Sequence, residues 1–474
     1  FFFFFFCLWK MTTHMVIKCA TRVLRTYSRS SVQCTRCLLT QAYNCDEAWQ
    51  SRMDTPLLKQ IEPGLFLQKF QDKIEREKKA SALDMDILAN VMHKMRPQQL
   101  DFVQGLYESF RLCQDALGMY DSTSYAYIRA LNGFQETKRL LDMLQDKIKY
   151  GIFLDPHTAN MLLDSYIENK QYEEAAVIAV DQMLQEDFSH PITRYLSWHA
   201  CHLYWKEVLS QREPEQPTAP QDDEEEEWVA VPYIINPYYH DHFDIPLFSM
   251  KVGKAMMMLG RLDGQHLGRN YELIGCGFYH KFQQGVDLLQ KISQSPDMHI
   301  AKEALESFQL NFEKFQPEEP NPEKDPGELT IDDVRPRFTQ EMKTECELQL
   351  QECLKSLESS NKIKEEDLGA QLLEIVTTEV PKHEAADIEK QLQLFSSWNE
   401  RRQQELDKHL AKLKEQQMRY DIAKKLRELQ DKEERLSFFE DEDNIKLAIK
   451  NLSKRKTVEV DNLEEVYVNV PGEK

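Results

Sequence analysis

One periodicity limits what this chain can fold into more than any other feature. Thr123, Thr158 and Thr193 recur at a spacing of 35 residues. The same shift carries Ile128 onto Leu163 and then Trp198, and Leu131 onto Tyr166 and then Cys201. Leu140, Leu144 and Ile148 fall on Ala175, Ala179 and Met183, each trio stepping by four, as one face of a helix does. Each unit therefore reads as helix, short turn, helix. A single such hairpin cannot bury its apolar face, so neighbours must stack and share a continuous core. The expected fold is all-α: a solenoid of helical hairpins, followed by a long charged C-terminal helix. Scarce glycine, 15 residues in 474, favours the same class.

Composition divides the rest. Residues 1–45 read as an address, with a natural start at Met11 or Met15. Between Met11 and Tyr43 there is no Asp or Glu, while Lys18, Arg22, Arg25, Arg29 and Arg36 are basic and Ser and Thr are common. That is the composition of a mitochondrial transit peptide, and it places the protein in the matrix. Residues 46–210 read as a helical lead and the repeats, and 211–246 as an acidic and aromatic linker. The linker contains EPEQPTAPQDDEEEE at 213–227, with three prolines and eight acids that bury no core. Helical hairpins resume over 247–315. A second linker, proline-rich and acidic, covers 316–338, a charged helical region 339–436, and an irregular tail 437–474, with weak strand-like alternation over 458–470.

Little here is chemistry. No phosphate-binding loop, dinucleotide fingerprint, nucleophile elbow or zinc-protease motif occurs. No enzyme activity, catalytic residue, cofactor or metal is expected. Cys34 and Cys37 have no second ligand pair, His240 and His242 sit in an aromatic turn, and His199 and His202 beside Cys201 read as packing histidines. Ala255–Leu259 reads as core filler. No apolar run reaches the roughly 20 residues that span a bilayer.

The segment 151–187 resembles a pentatricopeptide repeat, a 35-residue hairpin family with Asp-x-x-Thr-x-Asn before the first helix, here Asp155, Thr158 and Asn160, then Leu162, Tyr166 and Tyr172-Glu173-Glu174-Ala175. Tetratricopeptide repeats, with a period of about 34 residues, are the nearest competitor. The resemblance implies base-reading pairs at Asn160 with His190 and at Tyr125 with Asp155. Asn160 as a helix brace is the other reading. The order of parts, with YGIFLDPHTANMLLDSYIENKQYEEA, GFYHKFQQGVDLLQKISQSPD and IEKQLQLFSSWNERRQQELDKHL, resembles the pentatricopeptide-type proteins of the small subunit of animal mitochondrial ribosomes. It implies small-subunit ribosomal RNA and neighbouring ribosomal proteins as partners, with transfer or messenger RNA as further candidates. A free mitochondrial RNA-binding regulator and a peptide-binding helical scaffold are the alternatives.

Net charge is −21, so any RNA contact must be local. Residues 399–427 carry nine basic and five acidic side chains. Arg401, Arg402, Lys408, Lys412, Lys414 and Arg419 are candidate phosphate contacts on this helix, which otherwise serves as a coiled-coil strut. Its apolar steps are Ile388, Leu392, Phe395 and Leu406, Leu410, Leu413.

Overall fold

The computed structural model describes residues 38–77, 80–210, 238–295, 298–321, 331–437 and 439–456. The leader up to residue 37, the acidic block and the strand-like stretch 458–470 lie outside these. Two compact units divide the chain, one ending at Trp398 and one beginning at Asn399.

The first unit is helical almost throughout. Helices of six or more residues are α1 (Asp46–Ser51), α2 (Pro63–Glu77), α3 (Ala82–Val91), α4 (Leu100–Arg111), α5 (Asp121–Gly133), α6 (Thr137–Gln145), α7 (Pro156–Glu168), α8 (Tyr172–Leu184), α9 (Pro191–Tyr204), α10 (Phe248–Asp263), α11 (His266–Phe278), α12 (Phe282–Gln294), α13 (Lys302–Lys314) and α14 (Gln340–Ser359). A helix α15 (Leu368–Ser437) follows, starting in this unit and ending in the second.

The 35-residue spacing reappears in the backbone. Helices start at Asp121, Pro156 and Pro191, and their partners at Thr137 and Tyr172. Proline at the first turn of α7 and α9 presets φ and gives up no intrahelical hydrogen bond. The α5–α6 and α7–α8 turns pivot on left-handed residues, Gln135 and Lys170. Register positions are buried: Thr123, Thr158 and Thr193, Leu131, Tyr166 and Cys201, Leu144 and Ala179. Ile148 departs from the pattern and is exposed, because α6 ends at Gln145 and a separate short turn, Lys147–Tyr150, redirects the chain.

The second part of this unit is held by a close helix crossing. A Cβ on Gly275 of α11 would sit 2.5 Å from the Gly253 carbonyl and the Met257 nitrogen of α10. One on Gly260 would sit 2.4 Å from the Gly268 carbonyl oxygen. Only hydrogen at these positions lets the two backbones touch. Met256 and Met257 fill the remaining core, as expected of the Ala255–Leu259 run. The sequence offered no sign of β-structure at these positions, yet Ile300–Ala301 (β1) pairs in parallel with Ile363–Lys364 (β2). Beside it, Lys362 Nζ donates to the carbonyls of Ile292, Ser293 and Ser295 at 3.0, 2.7 and 2.6 Å, closing the end of α12. The expected proline-rich linker is anchored at its ends. Glu318 N–H donates to the Phe338 carbonyl, Arg335 pairs with Glu318, and Phe338 packs on Phe282.

In the second unit, α15 continues to Ser437 and α16 (Glu442–Lys456) follows. The tail from 437 is thus helical in its first part, where irregular structure was expected. Glu442 and Asp443 in its first turn favour helix through the dipole, and Lys446 pairs with Glu442 one turn on.

Two outcomes follow from this packing. Gly275→Ala gains up to about 1 kcal/mol in helix propensity. The α10–α11 backbones must nevertheless separate, and overpacking costs about 1–3 kcal/mol. Chemical denaturation should show net destabilisation, whereas Gly105→Ala, whose new methyl meets nothing within 4 Å, should stabilise. The second concerns pH. Burial pushes His199 down to about 4 and His202 to about 3, so both are neutral in the fold. The unfolded chain takes up these protons near pH 6.5 and the fold does not, so each histidine costs stability as pH falls from about 6.5 towards about 4. Melting temperatures measured across that window should fall more steeply for the native chain than for His202→Gln; parallel curves would refute the neutral, buried assignment.

Candidate nucleic-acid interface

The groove side of the hairpins is occupied by the chain itself. Residues 38–54 and the 384–398 stretch of α15 lie against α5, α7 and α9. Asn160 of α7 is fully buried, and its Nδ2 donates to the Tyr43 hydroxyl at 2.7 Å. That hydroxyl donates in turn to the Asp387 carboxylate. The other carboxylate oxygen of Asp387 lies 3.0 Å from His190 Nε2. Glu384, one turn earlier, accepts the Thr40 N–H at 2.9 Å and also the Thr40 hydroxyl. Asp164 accepts the N–H groups of Leu38 and Leu39 at 3.0 and 3.3 Å, and burial raises its carboxyl to about 6. Burial works to raise the Asp387 carboxyl too, but hydrogen bonds from His190 and Tyr43 outweigh it and hold the group below its ordinary range.

An aromatic cluster continues this seam. Tyr125 packs against Trp49, Phe395 and Trp398 at centroid distances of 4.9, 5.4 and 5.2 Å. Arg129 bonds the Tyr125 hydroxyl at 2.7 Å, the Asn44 carbonyl at 2.6 Å and Asp46 at 2.5 Å. His157 stacks on Tyr43 and bonds its carbonyl at 2.9 Å; burial drops its ring to about 4.

The four repeat positions expected to read bases are therefore brought together, but as internal contacts. Tyr125 and Asn160 are buried, His190 is spoken for by Asp387, and Asp155 holds the Thr158 hydroxyl at the start of α7. A base stacking on Tyr125 would have to displace Trp49 and Phe395. Asn160 links α7 to the N-terminal segment through the Tyr43 hydroxyl. On α15 the buried residues run from Leu368, Leu372, Val376 and Val380 through Glu384 and Gln391 to Phe395, while Leu392 is exposed. The apolar stepping from Ile388 picks out the buried Phe395 but not Glu384, whose partner is polar. Tyr43, Glu384 and Asp387 had no signal in sequence: each is an ordinary residue until its partner some 344 positions away is known.

The basic stretch, within the second unit, is different. Arg401, Lys408, Lys412, Lys414 and Arg419 are exposed. Lys408 pairs with Glu405 at 2.8 Å and Arg419 with Glu415 at 2.7 Å, both within the helix. No carboxylate of the described residues pairs with Lys412 or Lys414. Arg402 differs: it is buried and donates to Asn399 at 2.7 Å. From 408 to 436 every residue is exposed, Leu410, Leu413, Ile422, Leu426 and Leu429 included. A helix so fully solvated gains little from packing within its own chain.

Tyr43→Phe tests the groove seam. It strips the Asp387 carboxylate of one donor and leaves Asn160 Nδ2 without an acceptor in a dry site. The cost should be about 1–3 kcal/mol by urea denaturation. An unshifted midpoint would show that the segment around Tyr43 is not docked.

Among the described residues, no helix is long and apolar enough to cross a membrane. In the first unit the hairpin face is covered by the chain's own segments, and in the second unit a charged helix is exposed. Residues 11–428, most of the chain, match the family model of mitochondrial 28S ribosomal protein S27, and the chain belongs to that family, among the proteins of the small mitochondrial ribosomal subunit.

Proposed function

We propose that the protein is a non-enzymatic, pentatricopeptide-type component of the small mitochondrial ribosomal subunit in the matrix, and that it holds ribosomal RNA through the basic part of α15. One observation carries this reading. In a chain of net charge −21, the exposed helix over 399–427 has four more basic than acidic residues. Arg401, Lys408, Lys412, Lys414 and Arg419 supply the phosphate contacts, and Arg402 braces the helix. The exposed leucines of the same helix offer neighbouring ribosomal proteins an apolar seam. The peptide-scaffold alternative is disfavoured, because the groove such a ligand would enter is filled by Tyr43, Trp49 and Phe395. The repeat positions Tyr125, Asp155, Asn160 and His190 support the RNA-binding body without touching RNA.

Each phosphate neutralised releases counterions and steepens the fall of log affinity with log salt by about 0.9 on duplex and about 0.7 on single strands. Lys412→Gln, Lys414→Gln and Arg419→Gln together in the full chain should flatten that slope by about 2 to 3 on small-subunit mitochondrial ribosomal RNA. An unchanged slope would make the helix a strut. The parent chain should co-sediment with the small subunit at high salt and be released by ribonuclease. A chain that stays free of the subunit would favour a free RNA regulator instead.

A further inference from the structure

Three ligand-type side chains outside the groove converge on one point. His266 is the first residue of α11, His299 immediately precedes β1, and Glu366 lies two residues beyond β2. The parallel pairing of Ile300 with Ile363 and of Ala301 with Lys364 brings the last two together. Glu366 Oε1 lies 2.7 Å from His299 Nε2, and Oε2 lies 3.8 Å from His266 Nδ1. One ligand atom from each residue falls within 4.8 Å of the others. All three side chains are partly buried, between 18% and 27% exposed.

The surroundings orient these groups. Asn270, itself fully buried, donates to the His266 carbonyl at 2.9 Å and accepts the Ala301 N–H at 2.7 Å, so the start of α11 is tied to β1. Gln371 Nε2 donates to Glu366 Oε2 at 3.1 Å. Such outer contacts fix the direction of metal ligands. The two imidazole rings stack at 3.5 Å between centroids. Lys364 opposes a cation here, Lys302 pairs with Glu365 at 3.1 Å, and Asp367 adds a further carboxylate beside Glu366 in sequence.

We propose that His266, His299 and Glu366 form a zinc site that fastens the β2 turn, and with it the start of α15, to α11 and β1. Two imidazoles and one carboxylate are a borderline-soft donor set suited to zinc, whereas calcium and magnesium want oxygen alone. Tetrahedral zinc needs donors about 3.4 Å apart, so the stacked rings fan apart to present one nitrogen each to the ion. Water takes the fourth position. The site's role is structural: it ties segments 33 and 67 residues apart in the first unit, and is independent of how the protein meets RNA.

Zinc binding to the full chain tests this, by equilibrium dialysis after chelator treatment and by cobalt(II) substitution. One zinc per chain should bind, and cobalt should give the visible absorption of a low-symmetry site. Chelator should lower the melting temperature and zinc restore it. Glu366→Gln, nearly isosteric, and His299→Ala should each weaken zinc binding at least tenfold and abolish the cobalt spectrum, while His240→Ala should leave both intact. Should His299→Ala fail to fold, Glu366→Gln decides alone, with its fold checked by circular dichroism. No stoichiometric zinc in the native chain, or undiminished zinc in Glu366→Gln, would overturn the site.

Discussion

Two carboxylates one helical turn apart, Glu384 and Asp387, organise the first unit. They accept from Thr40, Tyr43 and His190, and so bind three stretches far apart in sequence: the N-terminal segment, the hairpins and the long helix. Buried polar atoms left without partners cost more than the same bonds yield when made. The network is therefore stringent: it tolerates one arrangement of the three stretches and penalises displacement of any. The aromatic cluster of Trp49, Tyr125, Phe395 and Trp398 supplies apolar burial beside it. Specificity of docking and strength of docking thus come from adjacent but different groups.

This arrangement separates the likeness of a fold from the use of it. Hairpin positions that in a base-reading protein would face nucleic acid face the chain's own termini-proximal segments here. The hairpins still perform the older task of their architecture, sharing an apolar core between neighbours. An acidic chain repels a phosphate backbone on average, so the proposed RNA contact rests on the local excess of positive charge on a solvated helix.

Much of the helical architecture was legible. The 35-residue shift placed Leu131, Tyr166 and Cys201 in equivalent buried positions, because stacked hairpins repeat their cores and repeated cores leave a period in the chain. Ile148 escaped, since periodicity does not announce where a helix stops. The polar members of the inward face of α15 escaped as well: stepping of apolar residues finds positions that meet apolar neighbours and is blind to Glu384 and Gln391. The basic stretch was visible as composition, but the burial of Arg402 was not. Least visible was the convergence of His266, His299 and Glu366, because a two-residue parallel pairing creates their proximity and strands so short have no pattern of their own.

The separation of Thr40 from Glu384 also sets an order of assembly. The hairpins make mostly local contacts and can form as soon as their residues leave the ribosome that synthesises them. The groove closes only after residues some 344 positions later have emerged, and closing so long a loop is the slow kind of step. Until then Tyr125 lacks the cover of Phe395 and Trp398, and His190 lacks Asp387. A nascent or imported chain therefore passes through an interval in which its own C-terminal half is the missing cover, and a chaperone that shields that face in the meantime would act as a temporary stand-in for α15.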